Sequence, residues 1–455
     1  MQSTADRQVG QPTLAKLART TFTTSRLLDF CSEKELVAQT GHDKKDWPLV
    51  VLKELLDNAL DACEEAGTAP QIEVTVDGSG ITVTDNGPGM PASTIDGILD
   101  FSVRVSSREA YVSPTRGAQG NALKTVLAMP FVLDGSSGRV DITALDQQHR
   151  ITFGVDQIRQ KPTVAREVIP DGLVKNGTSV AVYWPVSACS TLEEAKPRFL
   201  QLADDYTFLN PHLTLELDWF GERTRTEATT PAWTKWLPSE PTSPHWYGQD
   251  EFERLAAAYV AYDQDRGADR SVRELVKEFR GLTGTAKQKE VLEKTGLART
   301  NLSALANGDG LDHATLAGLL AALKQHSAPV KPAALGIIGR DHLAARFSAV
   351  GCEMETFQYK KTAEIDDDDL PVVIETAFAW RGEKSKAQRR MITGVNWSPG
   401  IVNPFRSLGN AYGDGLAALL EKRYAGCNEP IIFLLHCACP RVRYTDRGKS
   451  AVVMK

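Results

Sequence analysis

Apolar and polar positions follow two different periods along this chain. Residues 47–66 read WPLVVLKELLDNALDACEEA, in which Val51, Leu52, Leu55, Leu56, Ala59, Leu60 and Cys63 recur at three and four. That spacing predicts a helix buried along one stripe. Residues 71–76 and 80–84 switch to short alternating β-branched runs joined by Asp77-Gly78-Ser79-Gly80. They predict a hairpin whose second strand runs straight into Asp85. Helix-like and strand-like segments continue to alternate between residues 12 and 220, the pattern of a two-layer α/β or α+β domain.

Residues 221–247 are rich in Thr, Pro, Ser and Trp and read as an extended connector. Residues 248–343 carry helical periodicity broken at 281–284, 307–310 and 329–332, which predicts a small all-helical unit. A second α/β unit is expected over 344–455, with strands at 355–359, 372–380, 391–396 and 431–437 and a helix at 407–424. The acidic run Asp366 to Asp369 reads as a solvated turn.

Composition narrows the function classes. With 455 residues, 42% of them hydrophobic and 24% charged, the chain is of ordinary globular type with room for several domains. Its 52 Lys and Arg against 58 Asp and Glu leave a net charge of -6, which excludes a wholly basic nucleic-acid binder. Such a contact must come from a local patch. Apolar runs fall well short of the roughly 18 residues a spanning helix needs, and the N-terminus lacks a secretory h-region. Seven cysteines without a CxxC pair point to free thiols and a cytoplasmic location. His42, His212, His245 and His436 show no metal spacing and read as structural.

Three segments carry chemistry. On the first helix Glu54, Asn58 and Asp61 sit at spacings of four and three, so they project from one stripe. A carboxylate there can take a proton from water, and the amide oxygen beside it can bind a hard cation such as Mg²⁺. Asp85-Asn86-Gly87-Pro88-Gly89-Met90 follows a strand; its glycines let a flat ligand approach, and its aspartate can accept a bond from an exocyclic amine. Residues 115–124, TRGAQGNALK, place glycines before an apolar helix, where free N–H groups can cradle phosphate. Each alone has a plain alternative: a solvated stripe, an ordinary turn, a helix cap.

In this order the three segments resemble the GHKL family of ATP-binding folds, which includes gyrase B, the heat-shock chaperone, histidine kinases and MutL. The resemblance implies an α+β chain built on a Bergerat α/β sandwich, with ATP and Mg²⁺ as cofactors. By motif position it implies Glu54 as general base, Asn58 as magnesium ligand and Asp85 as adenine-reading carboxylate. Asp61, Gly87, Gly89 and Met90 are then expected beside the nucleotide, and Arg116, Gly117, Ala118, Gln119, Gly120, Asn121 and Lys124 at the phosphate lid. Thr178, in the strand opening Asn176-Gly177-Thr178, matches the residue that assists Asp85 through a water.

More narrowly, the chain resembles the ATPase (B-type) subunits of topoisomerase VI over nearly its whole length. The matching parts are an N-terminal strap with Ser25, Arg26, Phe30 and Glu35, a helix-two-turn-helix insert, a transducer from Glu355 onward and a closing segment that places Lys449 at the γ-phosphate. The implied domains are 1–220 (ATP-binding), 221–247 (connector), 248–343 (helical insert) and 344–455 (transducer). The implied partners are a second copy bound through nucleotide, duplex DNA and a separate tyrosine/toprim subunit that cuts DNA. A GHKL clamp or signalling ATPase of MutL or MORC type, acting without cleavage, is the rival reading. Ala122 stands where a further lid glycine is expected, and the chain ends at Lys455, so the helix that docks a cleaving subunit is expected to be short or absent.

Local basic segments add candidates for DNA contact. Arg381, Lys384, Lys386, Arg389 and Arg390 lie between two expected strands and suit phosphate contacts with DNA, or a solvated loop. Arg273, Lys277, Arg280, Lys287, Lys289, Lys294 and Arg299 make the insert locally basic, as a DNA contact or a spacer. Arg104 and Arg108 precede the lid and are candidates for phosphate or for surface carboxylates.

Overall fold

The computed structural model describes residues 30–100, 110–116, 122–156, 161–170, 176–307, 310–382, 387–408, 415–445 and 451–453. Ser25, Arg26, Arg104, Arg108, Gly117, Ala118, Gln119, Gly120, Asn121, Lys384, Lys386 and Lys449 lie outside them.

The first half builds one sheet from β1 (Gln71–Asp77), β2 (Gly80–Thr84), β3 (Gly138–Ala144), β4 (Gln147–Asp156), β5 (Lys161–Pro170), β6 (Thr178–Tyr183), β7 (Thr214–Trp219) and β8 (Glu222–Thr226). Their order is β5-β4-β3-β6-β2-β1-β7-β8, antiparallel except for the β1–β7 pair. Alternation sets the faces: in β1, Ile72, Val74 and Val76 are buried while Gln71, Glu73 and Asp77 are exposed. Helices Trp47–Glu65, Ala122–Asp134 and Cys189–Leu209 share a core with the buried face. The predicted stripe of Trp47–Glu65 is its buried side, with Leu52, Leu56, Leu60 and Cys63 inaccessible. Asp77 and Gly80 close the β1–β2 hairpin as a register pair.

Residues 306–307 and 310–311 form a small ribbon, β9 and β10. A second core joins helices Gln249–Asp265, Val272–Lys277, Thr285–Thr295, His313–Gln325 and Arg340–Ala349 to one side of a five-stranded sheet. That sheet is built from β11 (Gln358–Ile365), β12 (Pro371–Trp380), β13 (Arg390–Val395), β14 (Ser398–Pro399) and β15 (Ile431–Ala438), in the order β11-β12-β15-β13-β14. Near 407–424 the described helix is Gly415–Glu421. Asp369, in the left-handed region at φ 61, closes the acidic turn with a bond from its N–H to Asp366 O.

Residues 221–247 are more than an extended connector. β8 adds an edge strand to the first sheet, and beyond it the tryptophans enter the second core: Trp236 and Trp246 are buried, and Trp233 Nε1 donates to Ile337 O at 2.6 Å. A sequence without alternation hides this, because the segment is held by single large side chains and not by a repeating face.

Candidate functional site

The helix Trp47–Glu65 carries the half-buried Glu54 and, one turn on, the exposed Asn58. Asn58 Nδ2 donates to Glu54 O at 2.6 Å. With its nitrogen turned to the helix backbone, the amide has its oxygen to offer outward, the atom a hard cation takes.

Opposite the C-terminal half of this helix lies the turn after β2. Asp85 is buried, and its Oδ1 accepts from Gly87 N at 2.8 Å and Thr178 N at 3.2 Å, while Asp85 N donates to Thr178 O at 2.9 Å. Among the described residues Oδ2 carries no such bond. Burial raises the Asp85 pKa, and the two amides oppose that rise. Asn86 pins the turn to the start of β1, accepting from Gln71 N at 2.9 Å and donating to Ala69 O at 3.1 Å. Close approach makes Gly177 obligatory, since a Cβ there would meet Asp85 O at 1.8 Å, and leaves little room at Gly87, where a Cβ would meet Asp85 Oδ1 at 2.9 Å. A seated carboxylate with one oxygen to spare, beside backbone that has no room for side chains, fits a flat amine-bearing base. Met90 is half-buried against the same core.

Three residues expected at the nucleotide, two of them at its phosphate lid, are committed elsewhere. Arg116 is fully buried; its Nη1 reaches Asp61 Oδ1 and Glu64 Oε2, and its Nη2 reaches Glu64 Oε1 and Asn210 Oδ1, all at 2.6 Å. Asp61 keeps 27% of its side chain accessible but spends Oδ1 on that guanidinium. Lys124 is buried and donates to Asp100 O at 2.6 Å, and burial lowers its pKa. Arg116 is therefore a correction to the lid reading, since a guanidinium closed around Glu64 has no face for phosphate, and Lys124 is spent on a carbonyl. Thr178 is buried beside Asp85, at the start of β6.

Around Glu64 a cluster gathers that the sequence did not disclose. Lys235 Nζ lies 2.9 Å from Glu64 Oε2, and His212 Nε2 lies 2.9 Å from Glu64 Oε1. Burial works to raise Glu64, yet the Arg116 and Lys235 charges outweigh it and hold its carboxyl well below the usual range. Asn210 Nδ2 passes the network on to Trp397 O at 2.9 Å. Two further contacts join the same junction: Asn396 Nδ2 donates to Thr115 O at 3.2 Å, and Ser398 Oγ donates to Asp57 Oδ2 at 2.8 Å. The partners come from segments far apart in the chain, so no local motif marks them.

The basic segment is also partly corrected. Arg390 sits at the start of β13 with 11% of its side chain accessible, paired with Asp204 at 2.7 Å and with Asp205, over the ring of Phe208. Arg389 Nη1 donates to Ala425 O at 2.7 Å. The Arg390 guanidinium is held by two carboxylates, so phosphate contact does not fall to it, whereas half-buried Arg389 commits one donor to a carbonyl.

No helix among the described residues is long and apolar enough to cross a membrane. Residues 43–186 match the family described as histidine kinase-, DNA gyrase B-, and HSP90-like ATPase. The chain is 24% identical over 420 residues to the B subunit of type 2 DNA topoisomerase 6 from Archaeoglobus fulgidus, a match that covers 89% of this chain and 66% of that relative's length. It is 22% identical to the Metallosphaera sedula protein of the same name, covering 88% and 74%. Among solved structures, the N-terminal domain of a DNA repair protein aligns with a TM-score of 0.43 at 10% identity, over 92% of each chain. The ATPase region of Saccharomyces cerevisiae topoisomerase II aligns with a TM-score of 0.39 at 11% identity, over 89% of this chain and 77% of that one. Residues 43–186 thus match the histidine kinase-, DNA gyrase B- and HSP90-like ATPase family, in a chain similar over most of its length to the B subunits of topoisomerase 6.

Proposed function

We propose that this chain is the ATP-binding and ATP-hydrolysing subunit of a type IIB, topoisomerase VI-like DNA topoisomerase. The observation that carries the reading is the pairing of the Glu54–Asn58 helix with the Asp85 turn, within a chain whose similarity to the topoisomerase 6 B subunits extends well beyond that domain. Asp85, seated by two backbone amides, reads the adenine amine. Asn58 holds Mg²⁺ through its oxygen, and Glu54 takes the proton of the attacking water. The ion supplies charge neutralisation on the phosphates when bound. The amides of 117–121 and Lys449 are assigned to phosphate, with Lys449 at the γ position. Thr445 and Ala451, which precede and follow its segment, are bonded through Thr445 N and Ala451 O at 2.9 Å. Two copies close through their ATP domains on duplex DNA, Lys384 and Lys386 contact its phosphates, and a separate subunit cuts.

The test is Glu54→Ala. Nucleotide binding should persist while turnover falls by about 10²-fold or more, read by a coupled ATPase assay and by sedimentation with a non-hydrolysable analogue. Undiminished hydrolysis would overturn the assignment of Glu54. Hydrolysis stimulated by duplex DNA, with nucleotide-dependent dimers, is the result expected of the native chain.

A further inference from the structure

β3 and β4 are joined by the two-residue turn Leu145-Asp146, with Ala144 paired to Gln147. Both turn residues lie in the left-handed region, at φ 51 and φ 60. Such a turn favours Asn and Gly, since a leucine held there meets steric cost at its Cβ. Leu145 is also 46% exposed, so burial of the whole side chain does not account for it. A strained backbone persists where the surroundings over-determine it, which makes what Leu145 touches the question.

It touches the turn after β2. A Cβ on Gly89 would come within 2.8 Å of Leu145 Cδ2 and 3.0 Å of Leu145 Cγ, so the isobutyl group lies directly against the glycine. Gly177 O approaches the same point at 3.2 Å. Register explains the meeting: Ala144, the residue before Leu145, pairs with Thr178, and the Thr178 amide bonds Asp85 Oδ1. The ends of β2, β3 and β6 therefore deliver three backbone turns to one place, and Leu145 supplies the apolar contact between them. Gly89 itself sits at φ +83, where it has little intrinsic preference for one conformation.

We infer that Leu145 is a positioning residue for nucleotide binding, its side chain backing Gly89 so that the Asp85–Met90 turn is held open at the spacing an adenine requires. The inference rests on the nucleotide reading above. Loss of the side chain frees the turn to relax into the base site, which weakens ground-state binding and leaves the hydrolytic step alone. KM and kcat then separate.

The experiment compares the full-length native chain with Leu145→Asn and Leu145→Met, measuring ATP affinity by titration, KM and kcat for ATP, and the thermal midpoint. Asn suits the left-handed turn, so the midpoint should hold or rise, while KM and Kd for ATP increase about fivefold, the order expected from losing one apolar contact. The kcat should stay within roughly twofold of the native value. Met, which keeps the apolar reach, should stay close to the native KM. An unchanged KM in Leu145→Asn would overturn the inference, as would a kcat that falls together with the midpoint, the mark of a merely structural role. A native chain that neither binds nor hydrolyses ATP would overturn the nucleotide reading, and this inference with it; a native chain that binds, beside an Asn variant that binds equally, overturns the inference alone.

Discussion

Arg116 and Arg225 are both arginines paired with two carboxylates, and their surroundings give them opposite weights. Arg225 is 53% exposed beside Glu216 and Glu227, where solvent screens the attraction. Arg116 is sealed between Asp61, Glu64 and Asn210 with none of its side chain accessible. Removing it leaves Glu64 buried against Lys235 and His212 without its bidentate partner, and Asp61 without its own. Arg116→Ala should therefore cost about 3–5 kcal/mol of stability, measured by denaturant unfolding, whereas Arg225→Ala should leave the transition where it is. The same contrast explains what the sequence could tell about the site. The positions of Glu54, Asn58 and Asp85 follow from helix period and strand end, and the roles proposed for them from the resemblance. Arg116 sits one residue before the glycine-rich segment and reads as phosphate-facing. Its true acceptors, at 61, 64 and 210, are brought together only by the fold.

At the scale of elements, legibility follows periodicity. The helix over 47–65, the β1–β2 hairpin and the strand β12 each expose a repeating face, and their positions follow from it, while β13 and β15 read as short apolar runs. β8 and the tryptophan-bearing stretch after it repeat nothing, so they read as linker. Docking of the helix Arg340–Ala349 shows a related effect. His342 is buried at its N-terminal end, bonding Phe208 O through Nε2 at 3.0 Å and Thr229 Oγ1 through Nδ1, with Arg346 and Glu375 the charges facing it. Burial is the main cause that lowers its pKa from 6.5 to about 4. The unfolded chain therefore takes up this proton before the native chain does as pH falls. Its stabilising contribution is complete above the unfolded value and drains away between 6.5 and about 4. A shift of that size is worth about 3 kcal/mol at most. Thermal midpoints should fall more steeply between pH 7.5 and 5 in the native chain than in His342→Asn, and equal slopes would contradict the linkage.

For the whole molecule, the two cores meet at the turn between β13 and β14, where Asn396 and Trp397 adopt φ 48 and φ 63. Trp397 is completely buried there, with Lys235 over its ring at 5.0 Å and its backbone N–H donating to His436 Nε2 at 3.1 Å. The helix Trp47–Glu65, the Trp-rich segment and the C-terminal sheet share this junction through Asp57, Lys235 and Ser398. A chain ending at residue 220 would keep Glu64 and Arg116 and lose Lys235 and Trp397. Such a fragment should be poorly soluble or rapidly digested, while limited proteolysis of the full chain should leave a resistant piece that runs past residue 345; a stable core ending near 220 would be the contrary result.

The charge cluster at Glu64 also bears on how this protein can change over generations. Its members are contributed by the helix at 47–65, the segment at 116, the strand approach at 210–212 and the stretch at 235, so a substitution at one of them is tolerated only with matching changes at the others. The segment 43–186 is consequently a poor cassette. Exchange of these residues for the equivalent piece of a similar protein should fail unless positions 210, 212 and 235 travel with it.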